Sequence, residues 1–242
     1  MLENASYVNV SHQVALRRQM DIIANNIANL NTTAYRGERA LFEEFLVPTS
    51  ENQEVSFVQD IGLIRDLAEG EMQPTGNPLD LAIGGQGFFV IETVDGPLYT
   101  RNGNFTTNDV GQLATNEGLL VLDDDNQPIQ LDLADGELTI SGDGTITSDL
   151  GPIARLQVVK FENPQSLQKL GSTLYSANEL PTPVEDIKVV QGMLEKSNVQ
   201  AVLEITRMID VMRSYQSTQR MVDTGHELQR RAIDKLGRAA SA

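Results

Sequence analysis

The sequence predicts an α+β protein in which long N- and C-terminal helices pair as a coiled coil around an inserted antiparallel β-sandwich or barrel domain. Three patterns carry this prediction: heptad-spaced apolar residues near each end, and closely spaced strand-like runs between them. A helix with so narrow an apolar stripe cannot bury it alone, so each terminal helix needs a partner. The candidates are the other end of the same chain and the ends of neighbouring copies.

The first predicted element is an N-terminal coiled-coil helix within residues 1–36. Its apolar residues are spaced four, three, four and three apart, which is a heptad seam. Asparagine crowds its last turns, although its side chain competes for backbone hydrogen bonds inside helices. These asparagines form either a frayed, capped helix end or a lateral surface that bonds to neighbouring subunits. The seam is Leu16, Met20, Ile23, Ile27 and Leu30, and the asparagines are Asn25, Asn26, Asn29 and Asn31.

The middle of the chain divides into two segments. Residues 37–75 lack clear periodicity and are predicted to form an extended connecting arm, or equally a hinge loop with a short β-hairpin. Residues 76–183 contain short apolar runs separated by turn signals such as Asp135-Gly136 and Asp143-Gly144, in which glycine readily takes a positive φ. This spacing is typical of an antiparallel sandwich or small barrel. Phe88, Phe89 and Phe105 are predicted to lie in its core.

The last predicted element is a C-terminal coiled-coil helix within residues 184–242. Ser197 and Gln200 match a capping box, in which each side chain covers an unpaired backbone N–H group. The heptad rhythm then returns and predicts a helix that pairs with the N-terminal seam or with other copies. Its apolar residues are Val202, Ile205, Ile209 and Met212, extended by Leu228, Ala232 and Leu236.

The net charge of −16 is unevenly distributed. Residues 1–40 carry four bases and three acids, and residues 191–242 carry eight bases and six acids, so residues 41–190 hold a net charge of −19. An acidic body repels nucleic acid and anionic lipid, so no nucleic-acid partner is predicted. No apolar run approaches the roughly 20 residues that span a bilayer, and no direct membrane insertion is expected.

Few residues indicate catalysis or cofactor binding. The chain has no cysteine, which excludes disulfides and thiolate chemistry, and the two histidines have no ligand-like neighbours in sequence. Gly84–Gly87 lacks the spacing of a dinucleotide-binding loop, and Asp123–Asn126 lacks the glycine and glutamate of a calcium loop. No enzyme activity, metal or cofactor is predicted. Glu3 stands where a signal peptide carries bases, so if the protein leaves the cytoplasm we expect it to do so without an ordinary cleaved signal.

Three motifs resemble those of bacterial flagellar rod and hook proteins. Ala24–Arg36 looks like their asparagine-rich N-terminal signature, and Gly85–Val90 followed by Tyr99–Phe105 is similar to their β-entry motif. Glu195–Val199, with the helix after it, resembles their terminal signature. The motifs occur in the same order and cover nearly the whole chain. The start of the sequence looks most like a proximal-rod member, with the distal-rod paralogue as the alternative.

The resemblance implies a structural subunit of the flagellar basal-body rod, the periplasmic drive shaft that transmits torque from motor to hook. It implies that the terminal helices pair, that copies assemble with one another and with other rod proteins, and that the chain leaves through the flagellar type III export apparatus. The asparagines would then make intersubunit polar contacts. Arg36 and Arg39 would bond to acidic neighbours or remain solvated. The rival from another class is an extracellular β-sandwich binding module on a coiled-coil stalk.

Overall fold

A computed structural model describes residues 2–48, 54–131 and 136–239. In these ranges the chain forms two long helices, antiparallel strands and a short 3₁₀ helix at Pro164–Ser166. The mixed helix and sheet class is therefore confirmed. None of the described sheets closes into a barrel, so the barrel alternative is wrong. Neither helix has a described stretch apolar enough to cross a membrane.

The chain divides into two compact units. The helical unit comprises the described residues of Met1–Ala28, Glu38–Arg65 and Gln200–Ala242. The β unit comprises those of Asn29–Gly37 and Asp66–Val199. The chain therefore passes between the units four times.

The helical unit contains two helices and one long hairpin. Helix α1 spans Leu2–Ala28 and helix α2 spans Ala201–Ala239. The hairpin pairs β1 (Glu38–Pro48) with β2 (Glu54–Arg65) antiparallel, with a register shift after Leu41. At that shift the partner of Leu41 is a glycine with a φ of 143°. A β-bulge of this kind needs the conformational freedom of glycine.

These elements differ from the predicted boundaries at two places. Helix α1 ends at Ala28, and residues 29–34 form turns, because asparagine and threonine there favour local side-chain bonds over helix continuation. The predicted C-terminal helical segment begins instead with strands, and α2 starts only at Ala201. The β-branched pair Val189-Val190 suits a strand, and Gly192, with a φ of 72°, supplies the turn between two short strands.

The β unit contains one large antiparallel sheet and three small ones. The large sheet has nine strands, and the run of neighbours along it is β14-β15-β6-β5-β9-β8-β7, with β13 joining β5 to β16. Its strands are β5 (Phe88–Glu92), β6 (Leu98–Thr100), β7 (Phe105–Thr107), β8 (Leu113–Thr115), β9 (Leu120–Val121), β13 (Val158–Lys160), β14 (Gln168–Leu170), β15 (Leu174–Ser176) and β16 (Thr182–Pro183). The small sheets are β3 (Met72–Pro74) with β18 (Met193–Glu195), β4 (Leu81–Gly84) with β17 (Lys188–Gln191), and β10 (Thr139–Ile140), β11 (Thr145–Ser148) and β12 (Gly151–Arg155).

Strand β5 lies at the centre of the β unit's core, because both of its faces are buried. Phe89 and Ile91 point into a cluster that includes residues of β4, β10, β11 and β17. Phe88 and Val90 point the other way, into a cluster with Tyr175 and other aromatic residues. Phe105 packs edge-to-face on Phe89 with ring centroids 5.1 Å apart. The prediction that Phe88, Phe89 and Phe105 belong to the core is confirmed.

Candidate assembly interface

The two helices of the helical unit contact each other through a small apolar cluster. Leu16 and Ile23 of α1 pack with Val211 of α2, and each of the three is less than 8% exposed. Met20 and Ile27 on α1, with Met208 and Tyr215 on α2, pack around them. Four of the five predicted α1 seam residues therefore lie on the side of α1 that meets α2. The fifth, Leu30, lies beyond the helix end and is half-buried.

The predicted α2 seam lies elsewhere on the helix. Val202, Ile205, Ile209 and Met212 are 77%, 49%, 45% and 44% exposed, respectively. The buried stripe instead contains Glu204, Met208, Val211, Tyr215 and Thr218, which also repeat at heptad spacing. An apolar count missed this stripe because two of its most buried members are polar. The contact between α1 and α2 therefore leaves a second, apolar stripe of α2 exposed.

Both buried polar residues of α2 have partners. The Glu204 carboxylate accepts a hydrogen bond from Asn26 Nδ2 at 3.3 Å and forms an ion pair with Arg207. The Thr218 hydroxyl donates to the Ser214 carbonyl at 3.0 Å and lies 3.5 Å from His12 Nδ1. These bonds offset the desolvation of the polar groups, so a polar residue can occupy the stripe.

The four predicted contact asparagines have different surroundings. Asn26 is 3% exposed and is bonded within the helical unit: its Nδ2 donates to the Glu38 carbonyl at 2.8 Å, and its Oδ1 accepts from the Glu38 N–H at 3.0 Å. Asn25 and Asn31 are exposed. Asn29 is half-buried and accepts a hydrogen bond from the Thr32 hydroxyl at 3.0 Å. Asn26 thus joins α1 to the start of β1.

A buried ionic centre lies in the β unit, where the three sequence motifs meet. Glu195 is 2% exposed and accepts from two arginines: Arg36 Nη2 lies 2.7 Å from Oε1, and Arg101 Nε lies 2.8 Å from Oε2. Oε1 also accepts the Gly70 N–H at 2.9 Å. Both guanidinium groups are about 5% exposed or less, so the centre carries two positive charges and one negative charge out of water.

Each arginine of the centre is also bonded to backbone carbonyls. Arg101 donates to the carbonyls of Ile83, Gly85 and Gly87, each at 2.8 Å. Arg36 donates to the Leu67 carbonyl at 3.3 Å. Burial lowers the pKa of Arg36 from its ordinary value, and the Glu195 carboxylate opposes that shift. Charge buried this way gives little net stability, but its fixed donor and acceptor geometry specifies which segments come together.

Main-chain bonds join the same segments. The Ala34 N–H donates to the Glu195 carbonyl at 2.7 Å, and the Asn198 N–H donates to the Tyr35 carbonyl at 3.2 Å. The Asn198 side chain accepts from the Gly37 N–H at 2.8 Å. Its Nδ2 donates to the carbonyls of Asp66 and Ala68, each at 2.9 Å. Asn198 therefore connects three separate chain segments.

Two glycines allow the close backbone approaches in this region. A Cβ at position 70 would stand 1.9 Å from the Lys196 carbonyl oxygen, and one at position 103 would stand 1.7 Å from that of Leu81. No side chain fits at either distance, so glycine is required at both positions. Gly103 and Arg101 belong to one sequence motif, and both contact the backbone of β4: Gly103 approaches Leu81, and Arg101 donates to the Ile83 carbonyl. Sequence reasoning recognised the motif but did not foresee that it meets the other two at Glu195.

The described histidines and the acidic turn at Asp123 have defined structural surroundings. Across the described ranges, no group of three or more histidine, aspartate or glutamate side chains is arranged to hold a metal ion. Asp123 instead shapes a turn, since its Oδ1 accepts the N–H groups of Asp125 and Gln127. His12 and His226 are both exposed.

Comparison with known proteins places the three motifs in one group. Family models described as flagellar basal body rod protein, flagellar hook protein FlgE/F/G D1 domain, and flagellar basal body rod FlgEFG protein C-terminal match residues 7–36, 82–148 and 190–235. A flagellar basal-body rod protein FlgF from Caulobacter vibrioides is 40% identical, over 98% of this chain and 99% of its own length. FlgF from Mesorhizobium japonicum is 34% identical with the same coverage. FlgG from Agrobacterium fabrum is 35% identical over 88% of this chain and 92% of its own length.

The three family matches and the full-length relatives identify the class as structural proteins of the flagellar rod, which are not enzymes. The chain belongs to the flagellar basal-body rod protein family. As a member of this family it is a structural subunit of the flagellar rod, located at the basal body, and it assembles with other rod components.

Proposed function

We propose that the chain is a proximal-rod subunit whose copies polymerise into the periplasmic shaft that carries torque from motor to hook. The FlgF relatives support the proximal position, because they align with this chain over nearly their whole length and the FlgG relative aligns over less of it. The distal-rod position is the alternative. Export through the flagellar type III apparatus without a cleaved signal peptide belongs to the same proposal.

The exposed stripe of α2 carries the assembly proposal. Val202, Ile205 and Ile209 recur at heptad spacing on a helix that already uses another stripe to contact α1. A helix that contacts one partner through one stripe and exposes a second, apolar stripe can pack against a further partner, as helices in bundles do. We infer that α1 and α2 pair as a coiled coil within one subunit and that the exposed stripe packs on the helices of neighbouring rod subunits.

Charge distribution favours contact through these ends. The terminal segments are near neutral while residues 41–190 carry −19, so helices from adjacent copies approach with little repulsion. Asn25, Asn29 and Asn31 would add polar contacts at the same ends. Asn26 would support them indirectly, since its amide is bonded within the subunit. A surface that joins unlike patches on successive copies generates an open helical array, as a shaft requires.

The buried clusters on both faces of β5 support a sandwich-like β unit. The large sheet packs on one side against residues of the β4–β17 and β10–β11–β12 sheets. Such a unit is rigid because its interior is close-packed, which suits a subunit that bears torque.

Quantitative mass spectrometry of purified hook–basal bodies tests the proposal. We expect the wild-type chain at a handful of copies per structure, and a few dozen copies would favour the distal rod instead. The Ile209→Asp variant should be absent from the purified structures, because a charge on the exposed stripe cannot be buried against a neighbour. The matched control is Asp210→Asn, which removes a charge from the exposed residue next to Ile209, and this variant should be incorporated normally. Absence of the wild-type chain, or normal incorporation of Ile209→Asp, would contradict the proposal.

A further inference from the structure

The four points at which the chain passes between the units lie close to the buried ionic centre in sequence. The passages fall between residues 28 and 29, 37 and 38, 65 and 66, and 199 and 200. On the β unit's side of each passage, the chain continues into segments 29–37, 66–70 and 195–199. These three segments carry all the covalent connections between the units, and we name them the crossing segments.

Bonds within the β unit gather the crossing segments into one network. Glu195 binds Arg36 of the first segment and the Gly70 N–H of the second. The Asp66 N–H donates to the Gly37 carbonyl at 2.8 Å, and Asn198 bonds to both of these residues. Arg101 attaches the network to β4 and the loop after it, through three carbonyls at 2.8 Å. Every crossing segment is therefore tied to the others and to the core of the β unit.

We propose that Glu195 is a positioning residue that clamps the three crossing segments to one another and to the core of the β unit. Force that is transmitted along the chain from the helical unit enters the β unit through these segments. Crossing segments that are bonded to one another move as a single body, whereas unbonded segments would bend independently. Holding the segments at fixed separations also lowers the entropy that α1 and α2 lose when they pair, because the connecting loops are already closed. This role does not depend on the position of the chain in the rod.

Among the described residues, Glu195 is the only acid that bonds to both arginines. Removing its charge is therefore the most direct test of the clamp. Replacing it with an amide of the same shape leaves two buried guanidinium groups without the carboxylate that bonds to both, and charge-assisted bonds of this kind are among the strongest in proteins. The loss should therefore appear first in the bonds that join the crossing segments. The sheet that holds Phe89 does not use these bonds and should keep its protection.

Hydrogen exchange of the purified full-length chain, followed by mass spectrometry, tests whether Glu195 holds the crossing segments together. In Glu195→Gln, the amides of Ala34, Gly37, Gly70 and Asn198 should exchange faster by about tenfold or more, because charge-assisted bonds are lost. Amides of β5 should exchange at the wild-type rate. The matched control is Glu71→Gln, which removes an exposed ion pair with Lys196 at 3.3 Å and should alter neither group of amides.

A milder variant keeps the test decisive if Glu195→Gln does not fold. Arg36→Lys preserves the positive charge but removes the second donor, so the same amides should exchange faster by a smaller factor. Equal acceleration across the whole β unit would show a general structural role and overturn the proposal. Unchanged exchange in the crossing segments of either variant would also overturn it. Neither outcome bears on rod assembly, so the two proposals fail separately.

Discussion

At the scale of single residues, buried polar side chains decide how segments of this chain meet. Asn26 forms a paired set of bonds with the backbone of Glu38, and Glu195 collects two arginines. Apolar contacts tolerate small shifts, whereas an amide or carboxylate with fixed donors tolerates few alternatives. These residues therefore select one arrangement among the several that the apolar pattern permits.

Asn26→Ala should destabilise the isolated chain by about 2 kcal/mol, because it leaves the backbone groups of Glu38 and the carboxylate of Glu204 without the amide that binds them. Urea unfolding followed by circular dichroism measures this loss. Arg17→Ala, at an exposed position of the same helix, is the control and should change stability by less than about 0.5 kcal/mol. An equal effect of the two substitutions would contradict an intramolecular role that is special to Asn26.

At the scale of elements, the existence of both terminal helices could be predicted from the sequence, but the face of α2 that pairs could not. Two stripes on α2 repeat at the same heptad spacing, and the more apolar one is exposed. The buried stripe includes Glu204 and Thr218, whose burial depends on partners far away in sequence. Hydrophobic periodicity contains no information about such partners, so it favoured the wrong stripe for contact with α1.

Replacement of glycine by alanine should have opposite effects in helix α2 and in the loop between β2 and β3. Gly225 lies within α2, and a Cβ there would meet no atom within 4 Å. Gly225→Ala should therefore stabilise α2 by about 1 kcal/mol, since glycine is the poorer helix former. Gly70→Ala should destabilise the chain, because its Cβ would overlap the Lys196 carbonyl oxygen. Thermal unfolding followed at 222 nm measures both shifts. A lower melting temperature for Gly225→Ala would show that α2 needs its glycine for contact or bending.

At the scale of the whole molecule, the order of elements and the core phenylalanines followed from sequence patterns, whereas the buried centre did not. Strand alternation and turn residues are local signals, and most of the described strands lie within residues 76–183, where these signals predicted them. Arg36, Arg101 and Glu195 are separated by long stretches of chain, and nothing local indicates that they meet. The convergence of the three motifs becomes visible only when the chain is folded.

Charge at the same scale predicts how association depends on salt. Residues 41–190 carry −19, so copies of the chain repel one another at low ionic strength while their near-neutral ends do not. Raising sodium chloride from about 10 to about 150 mM shortens the Debye length from about 30 to about 8 Å and should strengthen self-association of the purified chain. Sedimentation velocity at matched protein concentration measures this effect.

The Ile209→Asp variant separates this screening from nonspecific aggregation. Because its added charge lies on the exposed stripe of α2, the variant should remain monomeric at both salt concentrations. If wild-type association weakened as salt rose, attraction between opposite charges would hold the copies together instead of apolar burial. If the variant associated as strongly as the wild type, the exposed stripe would not be the contact surface, and assembly would have to use another face of the subunit.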